Sequence, residues 1–192
     1  MWILSLKWLL LAACVFWTIG VLKRLKRLRT ACKHAFMPVD QQFLQVIELL
    51  RGCARVQTLR EKVASMSVQH AQHALVPSAD LLEAALQQAR QQPLRAETIA
   101  ALDGAWQGAQ VAWQAYVQLA GGADASDEHI QDWSQRWTQL AALQSHSTEQ
   151  FNTAIQHYNQ AIAQFPACVI ARLSGLKAGR IFQKDAARMV QR

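Results

Sequence analysis

An apolar segment followed at once by a cluster of positive charges opens this chain of 192 residues. Residues 1–22 carry one charged side chain, Lys7, and no acidic side chain. As an α-helix rising roughly 1.5 Å per residue, such a segment covers about 30 Å, the thickness of the hydrocarbon layer of a membrane. Trp2, Trp8 and Trp17 add aromatic rings that favour the membrane–water interface. The sequence therefore predicts one transmembrane helix at residues 1–22.

Six cations follow this segment, and we call them the basic collar: Lys23, Arg24, Lys26, Arg27, Arg29 and Lys33. Together with Lys7 they account for the whole formal net charge of +7, so residues 34–192 carry equal numbers of cations and acids. Because Lys and Arg next to a membrane helix stay on the cytoplasmic side, we expect the N-terminus outside and the helical body in the cytoplasm. The juxtamembrane segment, residues 23–36, would then face anionic lipid headgroups. A nucleic-acid partner is not expected, since nucleic-acid binders carry their cations on the folded domain.

A second interpretation of the N-terminus is the signal sequence of a bacterial lipoprotein. Residues 11–14 (Leu-Ala-Ala-Cys) resemble the site at which such precursors are cleaved before the cysteine. However, Lys7 interrupts the apolar run ahead of this site, and residues 15–22 continue it beyond. We therefore favour an uncleaved anchor. The chain has four cysteines: Cys14, Cys32, Cys53 and Cys168. Their spacing does not match a metal site, and a pattern of this kind is typical of free thiols in a reducing compartment.

The body of the chain, residues 37–192, is predicted to be helical. Apolar residues recur at alternating steps of three and four, the pattern of helices packed along their length. We call the first such set the first row: Ile99, Leu102, Trp106, Ala109, Trp113 and Tyr116. The second row holds Trp133, Trp137 and Leu140 and, after a polar interval at residues 144–148, Phe151, Ile155, Tyr158, Ile162 and Phe165. We expect these two rows to pack against each other. A third row is less regular: Phe43, Ile47, Leu50, Ala54, Val56, Leu59, Val63 and Met66.

Proline and glycine divide the body into segments. Pro77 is predicted to separate two helices, residues 121–126 to form a loop, and Pro166 to end a third helix. Pro38 and Pro93 fit either a kink or a short break. The predicted fold is all-α, an elongated up-down antiparallel helical bundle of three to four long helices preceded by one N-terminal transmembrane helix. The helices are expected at residues 30–75, 80–120, 127–165 and 167–189.

The last predicted segment, residues 167–192, is rich in positive charge. Because alternate helices of such a bundle run away from the membrane and back, this segment would end near the bilayer. Two interpretations stay open: the segment packs on the bundle with its cations in water, or it makes a second contact with anionic lipid. Asp185 is the one acidic residue of this segment, which contains six cations: Arg172, Lys177, Arg180, Lys184, Arg188 and Arg192.

A seven-residue repeat, in which an aromatic residue is followed by Asn or Pro, lies at the end of the second row. It reads Phe151-Asn152, Tyr158-Asn159 and Phe165-Pro166, with Ala171, Gly175 and Phe182 downstream. This pattern resembles the C-terminal signature of the LemA family of bacterial proteins. The resemblance implies one N-terminal membrane helix and a helical-bundle body, without an established catalytic activity. The chain resembles a divergent member, because residues 45–50 (Gln-Val-Ile-Glu-Leu-Leu) replace the Arg-x-Asp-Leu-Ile-Pro-like stretch of the family.

The two asparagines of this signature can form hydrogen bonds to a neighbouring part of the bundle. Asn152 and Asn159 are seven residues apart and therefore lie on the same side of a helix. An amide beside an apolar row can hydrogen-bond to a neighbouring helix and fix the register between the two. The alternative is a shared binding surface formed by both amides. Pro166 is expected to turn the chain.

No reaction chemistry emerges from the sequence. It contains no phosphate-binding loop, nucleophile elbow or zinc-protease motif. His70 and His73 share a helix face, but no third ligand completes a metal site. The aromatic residues stand at helical spacing, which favours core packing over a cofactor site. We therefore expect no enzyme activity and no catalytic, metal-binding or cofactor-binding residues.

The sequence thus predicts a single-pass scaffold or interaction protein of the bacterial inner membrane. Its expected partners are the lipid bilayer and a protein, or a second copy of the chain, bound through its helices. The alternative is an accessory subunit of an envelope enzyme or transport system with a site that the sequence does not reveal.

Overall fold

A computed structural model describes residues 2–58, 66–123 and 128–183 of the chain. Side chains are described in these ranges except at residues 2–6, 10–11, 14, 56–58, 66–67, 121–123 and 128–129. The described residues form helices and contain no strand, which confirms the all-α prediction. Five helices follow in order: α1 (Trp2–Thr58), α2 (Met66–Gln91), α3 (Ala96–Ala123), α4 (Glu128–Ala163) and α5 (Ala167–Leu173).

α1 is the central element of the bundle. Its 57 residues correspond to a length of about 85 Å, and it packs on α2, α4 and α5. α4 runs antiparallel to it in a constant register. The Cys32 thiol donates a hydrogen bond to the carbonyl of Ala154 over 3.3 Å, and Gly52 lies against the ring of Trp133, which is 3.1 Å from where a Cβ would stand.

α2 and α3 form an antiparallel hairpin on the other side of α1. Gln72 of α2 donates a hydrogen bond of 2.8 Å to the carbonyl of Ala54 in α1. Further along the same contact, Arg90 pairs with Asp40. These pairings run in opposite directions along the two helices. The up-down antiparallel bundle is therefore confirmed for the described residues.

The prediction of a helix boundary at Pro77 is wrong, because α2 continues through it. A proline inside a helix removes one hydrogen bond and costs about 3 kcal/mol. Leu75, Ala79 and Leu82 are fully buried on both sides of it, so tertiary packing holds the helix together across the exposed proline. Pro38 likewise stands inside α1. The break between the second and third long helices falls instead at residues 92–95, which include Pro93.

The apolar rows form the core, although they pair differently from the prediction. The first row lies on α3 and the second on α4, so we now call them the α3 row and the α4 row. Every residue of the α3 row is buried, as are Phe151, Ile155 and Tyr158 of the α4 row. The two rows meet where the Trp137 ring stacks on Trp106 and Trp113, with centroids 5.5 and 4.8 Å away. The more extensive partner of α4 is α1, and that of α3 is α2.

Two further details of the apolar rows differ from the prediction. Phe165, predicted at the end of the α4 row, is 83% exposed because α4 ends at Ala163 before it. The polar interval at residues 144–148 is not a gap, since Gln144, Ser147 and Thr148 are buried there. Of the third row, Phe43, Ile47, Leu50 and Ala54 are buried as predicted, and the side chains of Val56, Leu59, Val63 and Met66 lie outside the described residues.

The prediction of a long terminal helix at residues 167–189 is wrong. α5 ends after two turns, and Gly175 follows it with φ +66°, a left-handed conformation that glycine adopts without strain. The Leu176 N–H donates a hydrogen bond to the carbonyl of Ala171, and the Gly175 N–H donates one to the carbonyl of Arg172. This is the hydrogen-bond pattern of a Schellman cap. Residues 176–183, which we call the strap, are not helical and return along α4.

Among the side chains and helices described, none provides a stretch both long and apolar enough to cross a membrane. Part of the predicted anchor, residues 1–22, lies outside the described side chains.

Candidate functional site

The two signature asparagines hold the strap. Asn159 Nδ2 donates to the Gly179 carbonyl over 2.8 Å, and the Gly179 N–H donates to Asn159 Oδ1 over 2.9 Å. Asn152 repeats the arrangement with Phe182, at 3.1 Å and 2.8 Å. Each amide thus satisfies both backbone groups of one residue, as a neighbouring strand would. The prediction that these amides hydrogen-bond to a neighbouring helix is wrong, because the segment that they bind is extended.

The spacing of these four residues explains why two asparagines can hold one strap. Seven residues along an α-helix rise about 10.5 Å. Three residues along an extended chain cover about 10 Å. Because Asn152 and Asn159 are seven apart and Gly179 and Phe182 three apart, both pairs close at once. The hydroxyl of Tyr158 adds a hydrogen bond of 3.2 Å to the carbonyl of Lys177.

The strap also bridges α4 and α3, which have little other contact. The ring of Phe182 is buried between Phe43 of α1 and Phe151 of α4, with centroids 6.4 and 5.5 Å away. The N–H of Gln183 donates to a carboxylate oxygen of Asp103 on α3 over 3.4 Å. Asp103 is buried. Nothing in its local sequence marks it as a functional residue, because its partner lies 80 residues further along the chain.

Gly179 sets how closely the strap approaches α4. A Cβ at this position would lie 3.0 Å from Cδ1 and 3.3 Å from Cγ2 of Ile155. Such a distance is tighter than ordinary van der Waals contact, so glycine is the residue that fits best here. The pattern of a glycine and an aromatic residue three apart, matched to asparagines seven apart, is the signal by which the strap could have been found in the sequence.

The remaining signature residues have separate positions. Phe151 and Tyr158 are buried in the core. Burial raises the pKa of Tyr158, an effect that the charge of Arg29 partly offsets. Phe165 points into solvent, and Pro166 lies at the turn before α5, as predicted. The signature therefore fixes the strap and the chain turn and does not form a catalytic cluster.

All six residues of the basic collar are exposed on α1: Lys23, Arg24, Lys26, Arg27, Arg29 and Lys33. Within the described part of the chain, none of them pairs with an acidic side chain. The buried side of this helical stretch belongs to Leu25 and Cys32, which pack on the end of α4. The structure therefore leaves the collar cations available to an external anion.

The end of the bundle that carries the collar is built from segments without acidic residues: the start of α1, the end of α4, α5 and the strap. Acidic side chains of α3 border it, because Asp103 accepts a hydrogen bond from the Gln183 N–H, and the pKa of Glu97 is lowered by a backbone hydrogen bond and, in smaller part, by the charge of Lys177. Residues 1–39 and 150–183 contain no Asp or Glu, whereas the ion pairs of the described residues lie elsewhere, as between Arg90 and Asp40 or Arg136 and Asp132. We call this region the basic end. The tail cations Lys184, Arg188 and Arg192 lie outside the described residues.

Beyond the basic end, α1 extends as an unpacked arm. Several large apolar side chains along it are exposed, of which Phe16 is the most exposed, at 82%. In water, such a run of exposed apolar surface is unfavourable and marks a site of contact with a membrane or another protein. The exposed members are Trp8, Leu9, Val15, Phe16, Trp17 and Ile19.

A groove between α1 and α4 opens beside the collar. Its volume is about 480 Å³, and one of its edges is formed by the collar residue Arg24. Small and apolar side chains from both helices line it, together with glutamines and His157 of α4. The apolar lining residues are Leu28, Ala31, Ala154 and Ala161. This is the kind of shallow, small-residue surface on which another helix can lie.

The thiols differ in accessibility. Cys32 and Cys53 are free and buried, and burial raises the pKa of each to about 11. A hydrogen bond from Tyr116 lowers the pKa of Cys53 in part. Cys168 in α5 is partly exposed. At neutral pH, Cys32 and Cys53 therefore remain protonated and are poor nucleophiles.

His70 and His73 are both exposed on α2. Within the described ranges, no group of three His, Cys, Asp or Glu side chains is arranged to hold a metal ion.

Comparisons with protein-family models, with curated proteins and with solved structures found no match to this chain. The resemblance to the LemA family therefore remains a prediction from the signature residues.

Proposed function

We propose that this protein is a membrane-tethered helical scaffold of the bacterial inner membrane, related to the LemA proteins, that binds a partner protein or a second copy of itself. The observation that carries the proposal is the continuity of α1. One helix contains the exposed apolar arm, the unpaired basic collar and the central element of the core. A bundle built in this way keeps a fixed geometry relative to whatever holds its arm.

The chemistry of the arm and the collar favours a lipid bilayer as the structure into which the arm inserts. Residues 1–22 of the sequence carry a single charge, and the cations that follow have no acidic partner among the described side chains. Apolar surface partitions into hydrocarbon, and each cation near an anionic surface gains about 1 kcal/mol. The asymmetry of Lys and Arg around the segment favours an N-terminus outside and a body in the cytoplasm.

Membrane fractionation tests the tether. The full chain is expected in the membrane fraction after washing at high salt and alkaline pH, and a variant without residues 1–22 in the supernatant. High salt is included because it releases proteins held by charge alone. Release of the full chain by either wash would refute the anchor.

Thiol labelling tests the orientation. A Leu143→Cys reporter, exposed on α4, is placed in a chain with Cys14→Ser and Cys168→Ser. The buried Cys32 and Cys53 stay unreactive because their pKa is about 11. A membrane-impermeant maleimide is expected to label the reporter only after the inner membrane has been opened. Labelling in intact cells would reverse the proposed topology.

The groove between α1 and α4 is the place where we expect the partner helix. Ala31 lies in it, whereas Ala84 is exposed on α2, away from the groove. A photo-crosslinking amino acid at Ala31 is expected to give one discrete product in cells, either a dimer or an adduct with another protein. The same group at Ala84 serves as the matched control. Equal products at both positions would argue against the groove as the binding surface.

A further inference from the structure

A small apolar patch remains exposed on α5 and the turn before it. Phe165 is 83% exposed, Val169 50% and Leu173 84%. The three residues follow one another at steps of four, and Ala171 is the side chain through which α5 packs on the bundle. The patch thus points away from the core, although its members are among the most apolar side chains of the chain.

The position of α5 along α1 is fixed by packing. Ala171 and Ala161 form a small core cluster with Leu25, and Val21 and Leu28 pack against it. α5 therefore lies level with residues 21–28 of α1, within about one helical turn, or ~5 Å, of the last apolar residue of the arm. The patch on α5 lies beside the point where the arm leaves the bundle.

The charges around the patch complement an anionic surface. Arg172 and Lys177 are exposed on α5 and on the segment after it, and the collar surrounds the neighbouring part of α1. The segments that build this basic end contain no acidic residue, and Glu97 of α3 is an acid near Lys177. An exposed apolar patch on a helix whose own charged residues are cations is the surface that helices lying in a lipid headgroup layer present.

We propose that α5 is a second membrane contact, which rests in the headgroup layer beside the anchor. Phe165, Val169 and Leu173 insert into the boundary between headgroups and acyl chains, and Arg172 and Lys177 lie at the level of the lipid phosphates. This inference rests on the proposed function, because the arm must first bring the basic end to a bilayer. Two contacts then restrain both the tilt of the rod and its rotation about the anchor helix, whereas a single membrane helix leaves that rotation free.

Depth-dependent fluorescence quenching tests this contact in the full chain. A fluorophore that is sensitive to its environment is attached to single cysteines at three positions and reconstituted in vesicles of phosphatidylcholine and phosphatidylglycerol with spin-labelled acyl chains. Leu173→Cys probes the patch. Phe16→Cys probes the arm, and Leu143→Cys, an exposed leucine far along α4, is the matched control. Cys14 and Cys168 are replaced by serine in all three.

The expected result is strong quenching at positions 16 and 173 and little at position 143, with the quencher depth shallower for position 173 than for position 16. Quenching at 16 combined with equal, weak signals at 173 and 143 would overturn the α5 contact and leave the tether intact. Absence of quenching at 16 would overturn the proposed function and the α5 contact with it. The probe at position 173 could instead be shielded from water and quenched only by a spin label on a second copy of the chain. That result would assign the patch to a protein interface and overturn the lipid contact.

Discussion

At the scale of single residues, the two signature asparagines have the clearest role. A side-chain amide carries an NH2 group that donates and a carbonyl oxygen that accepts, the same two kinds of group that a backbone peptide offers. Asn152 and Asn159 use both groups on the strap residues Phe182 and Gly179. An extended segment without a neighbouring strand would otherwise leave these backbone groups unpaired in a partly buried position, which costs about 1–3 kcal/mol for each group. The asparagines thus replace the missing strand.

Replacing either asparagine tests this role. Asn159→Ala is expected to lower the free energy of unfolding by about 1–3 kcal/mol, because the backbone groups of Gly179 lose both partners. Gln156→Ala is the matched control, since this exposed amide lies on the same helix; its effect is expected within about 0.5 kcal/mol. Urea unfolding of the full chain in a non-ionic detergent, followed by circular dichroism, measures both. Equal effects of the two substitutions would show that the strap hydrogen bonds add nothing.

At the scale of the elements, α5 and the strap depend on one glycine. α5 has seven residues and no side-chain cap at its N-terminus, so its own hydrogen bonds cannot stabilise it in isolation. Its end is set by Gly175, whose positive φ reverses the chain direction. Without that reversal, the strap would not return along α4 to the asparagines.

Two glycine-to-alanine substitutions should therefore have opposite signs. Gly175→Ala is expected to destabilise the protein by about 1–2 kcal/mol, because a Cβ is unfavourable in the left-handed conformation. Gly108→Ala is expected to stabilise it by about 0.5–1 kcal/mol, because this exposed position in α3 has nothing within 4 Å of the new methyl group. Thermal unfolding of both variants provides the measurement. Two shifts of the same sign would contradict the assignment of Gly175 as a helix cap.

At the scale of the whole molecule, the strap closes the bundle. α3 and α4 touch mainly through the stacked rings of Trp106, Trp113 and Trp137. The strap joins them a second time, because its Phe182 lies in the core and the next N–H reaches Asp103. The segment that follows α5 therefore completes a core that is organised around α1.

Two phenylalanines near the C-terminus separate this role from surface effects. Phe182→Ala is expected to lower the free energy of unfolding by about 3–5 kcal/mol, the cost of a large cavity between Phe43 and Phe151. Phe165→Ala changes the same residue type on the exposed patch, so its effect in mild detergent is expected within about 0.5 kcal/mol. Chemical unfolding of both variants measures the two changes in the free energy of unfolding. A small loss for Phe182→Ala would mean that the bundle closes without the strap.

Local patterns in the sequence determined the helices and their buried sides. The α3 row is buried as its spacing predicts, because a row at steps of three and four leaves a helix one apolar side, which water disfavours. The unbroken run of helical residues also led to the correct fold class. The cysteine and histidine patterns predicted free thiols and no metal cluster, and the described thiols are free.

Contacts between distant parts of the chain decided the rest. Pro77 stays inside a helix because buried leucines and alanines around it outweigh its local cost. Residues 176–183 were predicted to be helical, yet they form a strap because Gly175 ends α5 before them. The two asparagines and the burial of Phe182 then hold the segment against α4. The exposure of Phe165 follows from where α4 ends. Local propensities are worth tenths of a kcal/mol per residue, whereas a buried ring or a paired amide is worth several times more, so tertiary structure prevailed wherever the two disagreed.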